Sequence, residues 1–308
     1  MTALSTEPAR TSHRGRPALL IAASCIAIVA LAVTADGGPL TPIKAIILGA
    51  VEGITEYLPI SSTGHLLVTQ RLLGLGTGPG KAAADTYAIA VQLGAILAVV
   101  ALYRHRITQL VKGVIGRDDA GRQMLARLIV AFVPAALIGV VFGDSIKAHL
   151  FGPWPIVVAW TAGGAFLLWW RPRHGTTALE QITIGHAAII GCAQTLALAP
   201  GTSRSLVTIV AALAVGLSMS AAVEFSFLLG LATLTAATAL DLAKDGGTLL
   251  TDYGWRTPLL GALVAFLTAL TAVRWLVSYL RTESLTIFGW YRLLAAAVTV
   301  ALILGGAI

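Results

Sequence analysis

Charge is what this sequence lacks. Only 11% of its 308 residues are Asp, Glu, Lys or Arg, where a soluble domain carries about 25%. That shortage leaves no material for a solvated surface and excludes a soluble enzyme or binding module. Cysteine is nearly absent: Cys25 and Cys192 both sit in apolar runs, which fits neither a disulfide framework nor a metal cluster. Acidic residues number 14 against 21 basic ones. The basic excess lies largely in short loops, where it orients a membrane protein, so no nucleic-acid partner is expected. Hydrocarbon is what the chain has in abundance. Hydrophobic residues make up 57%, mean hydropathy is +0.85, and apolar runs of about twenty residues recur, the length that crosses a bilayer. The expected class is an all-α, multi-pass integral membrane protein whose first partner is the bilayer.

The N-terminus, "RTSHRGRPALLIAASCIAIVALAVTADGG", has a basic start, an apolar run and then small residues. Residues 1–40 are read as an extension with a signal-like segment or, as we expect, an extra uncleaved span; either way Gly37 lies outside. A single membrane domain, 41–308, follows. Its apolar segments fall at about 43–58, 62–75, 86–103, 124–143 and 154–171, then at about 184–199, 204–217, 221–240, 258–280 and 288–307. The two series match. "AIILGAVEGITEYLPISS" resembles "AAIIGCAQTLALAPGTS", with Gly49 and Glu52 answering Gly191 and Gln194, and Pro59 and Ser62 answering Pro200 and Ser203. The repeat halves are about 43–172 and 183–307, and internal repeats of this kind build many transporter folds.

The first two segments of each half are too short to cross separately. They are interrupted by "LPISSTGH" and "APGTSRS", and broken backbone at membrane depth survives only when buried in protein or lining a wet cavity. Each half is therefore expected to be a re-entrant helix–loop–helix followed by three transmembrane helices. Three is odd, so the second half is inverted. With Gly37 outside, Arg104, Arg106, Lys112, Arg117, Arg122, Arg127, Arg171, Arg173 and Arg281 fall on the cytoplasmic side. The outer loops hold Asp144, Lys147, Asp241, Lys244, Asp245, Asp252 and Arg256. That is the positive-inside pattern, and it lets the two re-entrant tips meet near the midplane.

Those tips carry the chemistry. Glu52 and Glu56, four apart, share a helix face; ionisable groups within a membrane are costly and usually functional, the alternative being helix caps or a shallow polar mouth. Ser61, Ser62, Thr63 and His65 follow, where a helix beginning near Ser62 or Thr63 would present an anion-binding N-terminus. His65 is a candidate acid, base or nucleophile, or an ordinary histidine bonded within the bundle. Arg204, between Ser203 and Ser205 and after Gly201, needs an anion: a phosphate, or Glu52 or Glu56 as a resting partner. Together these groups suggest phosphoryl chemistry with a divalent cation. Gln92 and Glu224 are weaker candidates, Tyr291 and Arg292 read as interface anchors, and Asp85 as a helix cap.

"EGITEYLPISSTGH" and "PGTSRS", with "VQLGAILAVV", "EFSFLLG" and "ATALDLAK", resemble the signature regions of the undecaprenyl-diphosphate phosphatase, or bacitracin-resistance, family from about Ile43 to the C-terminus. The resemblance implies a hydrolase that removes the terminal phosphate of a C55 polyprenyl diphosphate, regenerating the carrier lipid for cell-wall polymers. It assigns the carboxylate motif to Glu52 and Glu56, the Ser/His segment to Ser61, Ser62 and His65, and the phosphate-binding Arg to Arg204. It further implies Mg²⁺ or Ca²⁺, a bacterial plasma-membrane location and an active site toward the outer face. One departure stands out: Leu206 replaces the family's Gly, which questions close backbone packing there.

The expected site is thus Glu52, Glu56, Ser62, His65 and Arg204 as catalytic groups. Ser61, Thr63, Gly201, Ser203 and Ser205 would bind substrate, and Glu52 and Glu56 the cation. The nucleophile is Ser62, His65 or a water activated by His65. The rival reading is a polyprenyl-phosphate flippase, since inverted repeats with broken helices are typical of transporters. A homodimer is compatible with either.

Overall fold

A computed structural model describes residues 40–75, 81–170 and 175–308. The expected N-terminal span and the loop residues Arg171 and Arg173 lie outside the described residues. The described chain has no strand, only an isolated bridge between Thr177 and Leu217.

The first half begins with α1 (Pro42–Thr55), whose start follows from its sequence: Thr41 accepts from the Lys44 N–H at 3.3 Å and Pro42 opens the first turn. A turn over residues 56–60 leads into α2 (Ser62–Leu72). Then come α3 (Lys81–Ala90), α4 (Gln92–Leu102), α5 (Arg104–Val114), α6 (Asp119–Leu150) and α7 (Pro153–Trp169). The second half runs α8 (Ile184–Gln194), a 3-10 turn at Thr195–Leu198, α9 (Arg204–Ala214), α10 (Met219–Tyr253), α11 (Arg256–Tyr279) and α12 (Thr286–Leu304).

Among the described residues, five stretches are long and apolar enough to cross a membrane: Ala84–Leu102, Asp119–Leu150, Met219–Lys244, Arg256–Tyr279 and Thr286–Leu304. The sixth expected crossing, Pro153–Trp169, has 17 residues, the short end of the spanning range. Two helices outrun the apolar pattern. α6 and α10 have 32 and 35 residues, about 48 and 52 Å at 1.5 Å per residue. Asp144, Lys147, Asp241, Lys244 and Asp252, expected in loops, therefore sit on helices. Hydropathy marks only the hydrocarbon-facing part of a helix; the starts here are set by caps, Asp118 on Gly121 N–H and Ser218 on Ala221 N–H, and α10 stops at Gly254, where φ turns positive. Lys147 pairs with Asp241 at 3.2 Å, tying α6 to α10.

Near the opposite end of α6, the expected basic loop is largely helical: Arg104, Arg106 and Lys112 lie on α5, Arg122 and Arg127 on α6, and Arg117 in the turn between them. On α5, Arg106 bonds Glu224 of α10 and Glu180, each at 2.6 Å. The Arg106 guanidinium holds the Glu180 carboxyl below the ordinary range.

The hairpins pack crosswise. α1 lies along α11, α8 along α6, and α7 along α12. Glycine permits the first two contacts: a Cβ on Gly49 would strike the backbone of Gly261, and one on Gly191 the backbone of Ala131. Both hairpin tips end inside the main apolar core, where Tyr57, Leu58, Ile60, Leu206, Phe225 and Phe227 are buried. Leu206, in the place of the family's Gly, is thus accommodated as a core side chain.

Candidate active site

The two tips start new helices in the same unusual way. Ser61 and Ser203 are the non-glycine residues with positive φ among the described residues, at 72° and 76°, a conformation costing about 1–3 kcal/mol for an L side chain. Each caps the helix it precedes: the Ser61 hydroxyl accepts from Gly64 N–H at 3.4 Å, the Ser203 hydroxyl from Leu206 N–H at 3.3 Å. This shifts the repeat register by one. Ser203 matches Ser61, not Ser62 as the prolines suggest; both follow Glu52 or Gln194 by nine residues. Arg204 then matches Ser62.

Side chains from both tips meet. Arg204 donates from Nη2 to Glu56 Oε1 at 3.0 Å and from Nη1 to the Ser226 carbonyl at 3.0 Å. Its guanidinium lies over the Tyr57 ring, 5.5 Å from the centroid, and Tyr57 is backed edge-on by Phe227. Ser62 donates a hydrogen bond to the other oxygen of Glu56. Ser205 donates to the Leu58 carbonyl at 2.8 Å, crossing from the second tip to the first, and its hydroxyl also contacts Ser203 at 3.1 Å. Thr63 sits in the first turn of α2.

Three groups in this cluster are buried without a partner among the described residues: both oxygens of Glu52, the Tyr57 hydroxyl and Nε of Arg204. A buried polar group normally finds a partner, so a carboxylate beside an unfilled guanidinium N–H suits a ligand of mixed charge. Glu52 fits a hard divalent cation, which prefers carboxylate oxygens. Among the described residues no three His, Cys, Asp or Glu gather; Glu52 and Glu56 are the carboxylates of this cluster that could hold such an ion.

His65 faces a different wall. Its Nδ1 bonds the Ser61 carbonyl and its Nε2 the Tyr291 hydroxyl, both at 2.7 Å, and its ring lies against Trp160 and Tyr291. Arg292, fully buried, donates to the carbonyls of Ala159 and Gly201 at 2.8 Å and of Pro59 at 3.4 Å. Arg292 is therefore an interior group and not an interface anchor, and Tyr291, half-buried, directs its hydroxyl to His65. One signal could have found them: an Arg within an apolar helix needs a partner inside the protein. Gln92 meets Thr238 at 3.5 Å and Glu224 pairs with Arg106, so neither joins the cluster.

The position of Arg204 depends on Gly230, because a Cβ there would strike the guanidinium. Gly230→Ala should destabilise the purified protein by about 1–3 kcal/mol, the usual penalty for overpacking, read as a lower unfolding midpoint in detergent.

Comparison with known proteins adds the family. The family model described as "Bacitracin resistance protein BacA" matches residues 45–298. The chain is 46% identical over 262 residues to undecaprenyl-diphosphatase 2 of Rhodospirillum rubrum, covering 84% of this chain and 94% of that protein. It is 44% identical to the undecaprenyl-diphosphatase of Sorangium cellulosum, over 82% of this chain and 84% of the relative. For that of a Janthinobacterium species the identity is 43%, over 83% and 92%.

Proposed function

This chain belongs to the bacitracin resistance BacA family, and we propose that it hydrolyses undecaprenyl diphosphate to undecaprenyl phosphate and inorganic phosphate in the bacterial plasma membrane. The observation that carries this reading is the Ser62–Glu56–Arg204 chain of contacts, a hydroxyl, a carboxylate and a guanidinium in series, next to the unpartnered Glu52.

The mechanism follows from that series. Diphosphate oxygens draw the Arg204 fork, whose planar donors match phosphate, away from Glu56. Glu56, relieved of its cation, accepts the Ser62 proton. Ser62 Oγ bonds to the terminal phosphorus as the bond to the bridging oxygen breaks, and the lipid monophosphate leaves. Water then releases inorganic phosphate from Ser62. Helices α2 and α9 begin at the two tips, and the N-terminus of a helix favours anionic oxygens. Glu52, with Glu56 beside it, would hold Mg²⁺ or Ca²⁺, which supplies neutralisation of charge on the phosphate oxygens.

The architecture we propose is an inverted repeat with the site toward the outer face. It is supported by the reciprocal packing of α1 on α11 and α8 on α6 and by the matching strained caps at Ser61 and Ser203.

Purified protein in detergent, with no second compartment, should release phosphate from the lipid diphosphate; a flippase would release none. Release should stop on chelation of divalent cations. Glu52→Gln should raise the cation concentration for half-maximal rate at least about tenfold, the scale on which lost support weakens metal sites. Full activity in chelator would remove the cation from the scheme.

A further inference from the structure

His65 is held from two sides, by the Ser61 carbonyl of the first tip and by Trp160 and Tyr291 of the α7–α12 pair. Its partners fix where its proton sits. The Ser61 carbonyl can only accept, so Nδ1 carries the hydrogen. In the neutral ring Nε2 then has only a lone pair, and the Tyr291 hydroxyl donates to it. Stacking restrains the ring plane as well: the Tyr291 centroid lies 5.6 Å away with 21° between planes, and the Trp160 centroid 4.6 Å away. Gly64, the residue before His65, has no room for a Cβ against the Trp160 indole, so α2 is seated directly on α7. Arg292, adjacent to Tyr291 in sequence, grips the carbonyls of both tips. The register of α12 is therefore fixed relative to the tips, and the Tyr291 hydroxyl with it.

We propose that Tyr291 is a positioning residue: it holds Nε2 of His65 ready to take the proton of the water that cleaves phosphate from Ser62, Glu56 having taken the Ser62 proton, so that His65 enters the reaction as a base and never as the initial acid. This rests on the hydrolase reading above. When substrate or water displaces the tyrosine hydroxyl, Nε2 is already free of hydrogen and already aimed. The tyrosine acts only through the histidine.

Tyr291→Phe tests this cleanly, because it keeps the ring and removes one oxygen. With ¹⁵N-histidine labelling, and His65→Gln to assign the resonance, Nε2 of His65 should move toward the position of an unbonded nitrogen in Tyr291→Phe protein. Turnover should fall about three- to tenfold, the worth of one neutral hydrogen bond, with KM unchanged within about twofold. A tyrosine with a merely structural role would lower the unfolding midpoint and shift the resonance but leave kcat unmoved; that result overturns the proposal. So does a fall in kcat with no shift at Nε2. Wild-type protein that releases no phosphate would sink the hydrolase reading and this inference together, whereas active wild type with unaltered Tyr291→Phe kinetics sinks the inference alone.

Discussion

Glu56→Gln should lower kcat/KM for phosphate release by about 10³, within the range that a positioned acid or base contributes. Glutamine fills the same volume and can still accept a hydrogen bond from Ser62, but it cannot take the proton. Ser62→Ala should cost about as much, since the nucleophile and its base work as one unit. The informative protein is the double variant. Groups that act together give non-additive losses, so Glu56→Gln/Ser62→Ala should be no slower than the worse single variant, measured with saturating cation. Losses that multiply would mean that the two residues serve separate steps, and the hydroxyl donated to Glu56 would then be no more than a buried hydrogen bond.

Much of this site was legible before any coordinates. "EGITEYLPISSTGH" stands out because its polarity is surrounded by hydrocarbon, and Arg204 because a guanidinium in an apolar chain demands an anion. The contact between Arg204 and Glu56 was one of two pairings left open. What the sequence hid was register. Prolines invite alignment of Pro59 with Pro200, yet the backbone aligns Ser61 with Ser203, because helix caps at strained φ define the tip and proline only shapes its approach. Once the register is corrected the division of labour appears. Ser62 corresponds to Arg204, His65 to Val207, and Glu56 to Leu198. One half keeps the carboxylates, hydroxyl and imidazole; the other keeps the cation.

The lengths of α6 and α10 were hidden for a different reason. A helix leaving the hydrocarbon continues as long as its residues cap and pair it, as Lys147 and Asp241 do, and a hydropathy window ends where the apolar run ends. Tyr291 was missed because an aromatic next to an arginine near the end of a chain is the usual composition of a membrane interface. Only the tertiary packing of α12 on α7 buries Arg292 and brings the Tyr291 hydroxyl to His65.

Arg204→Ala should separate what holds the tips together from what performs the reaction. Its side chain and that of Glu56 are 11% and 5% exposed, so removing the guanidinium leaves an uncompensated carboxylate in the interior next to Glu52. Breaking one side of such a pair costs about 3–5 kcal/mol, whereas replacing both partners by uncharged groups of similar volume is often nearly neutral. Denaturant titration in mild detergent should therefore find Arg204→Ala destabilised by that amount and Glu56→Gln/Arg204→Met within about 1 kcal/mol of wild type. Activity should be lost in both, because neither retains the fork that takes the phosphate. An Arg204→Ala protein as stable as wild type would show that the ion pair does not join the hairpins. That task would then fall to Ser205 on Leu58 and to Arg292 on Pro59 and Gly201, leaving Arg204 wholly to the substrate.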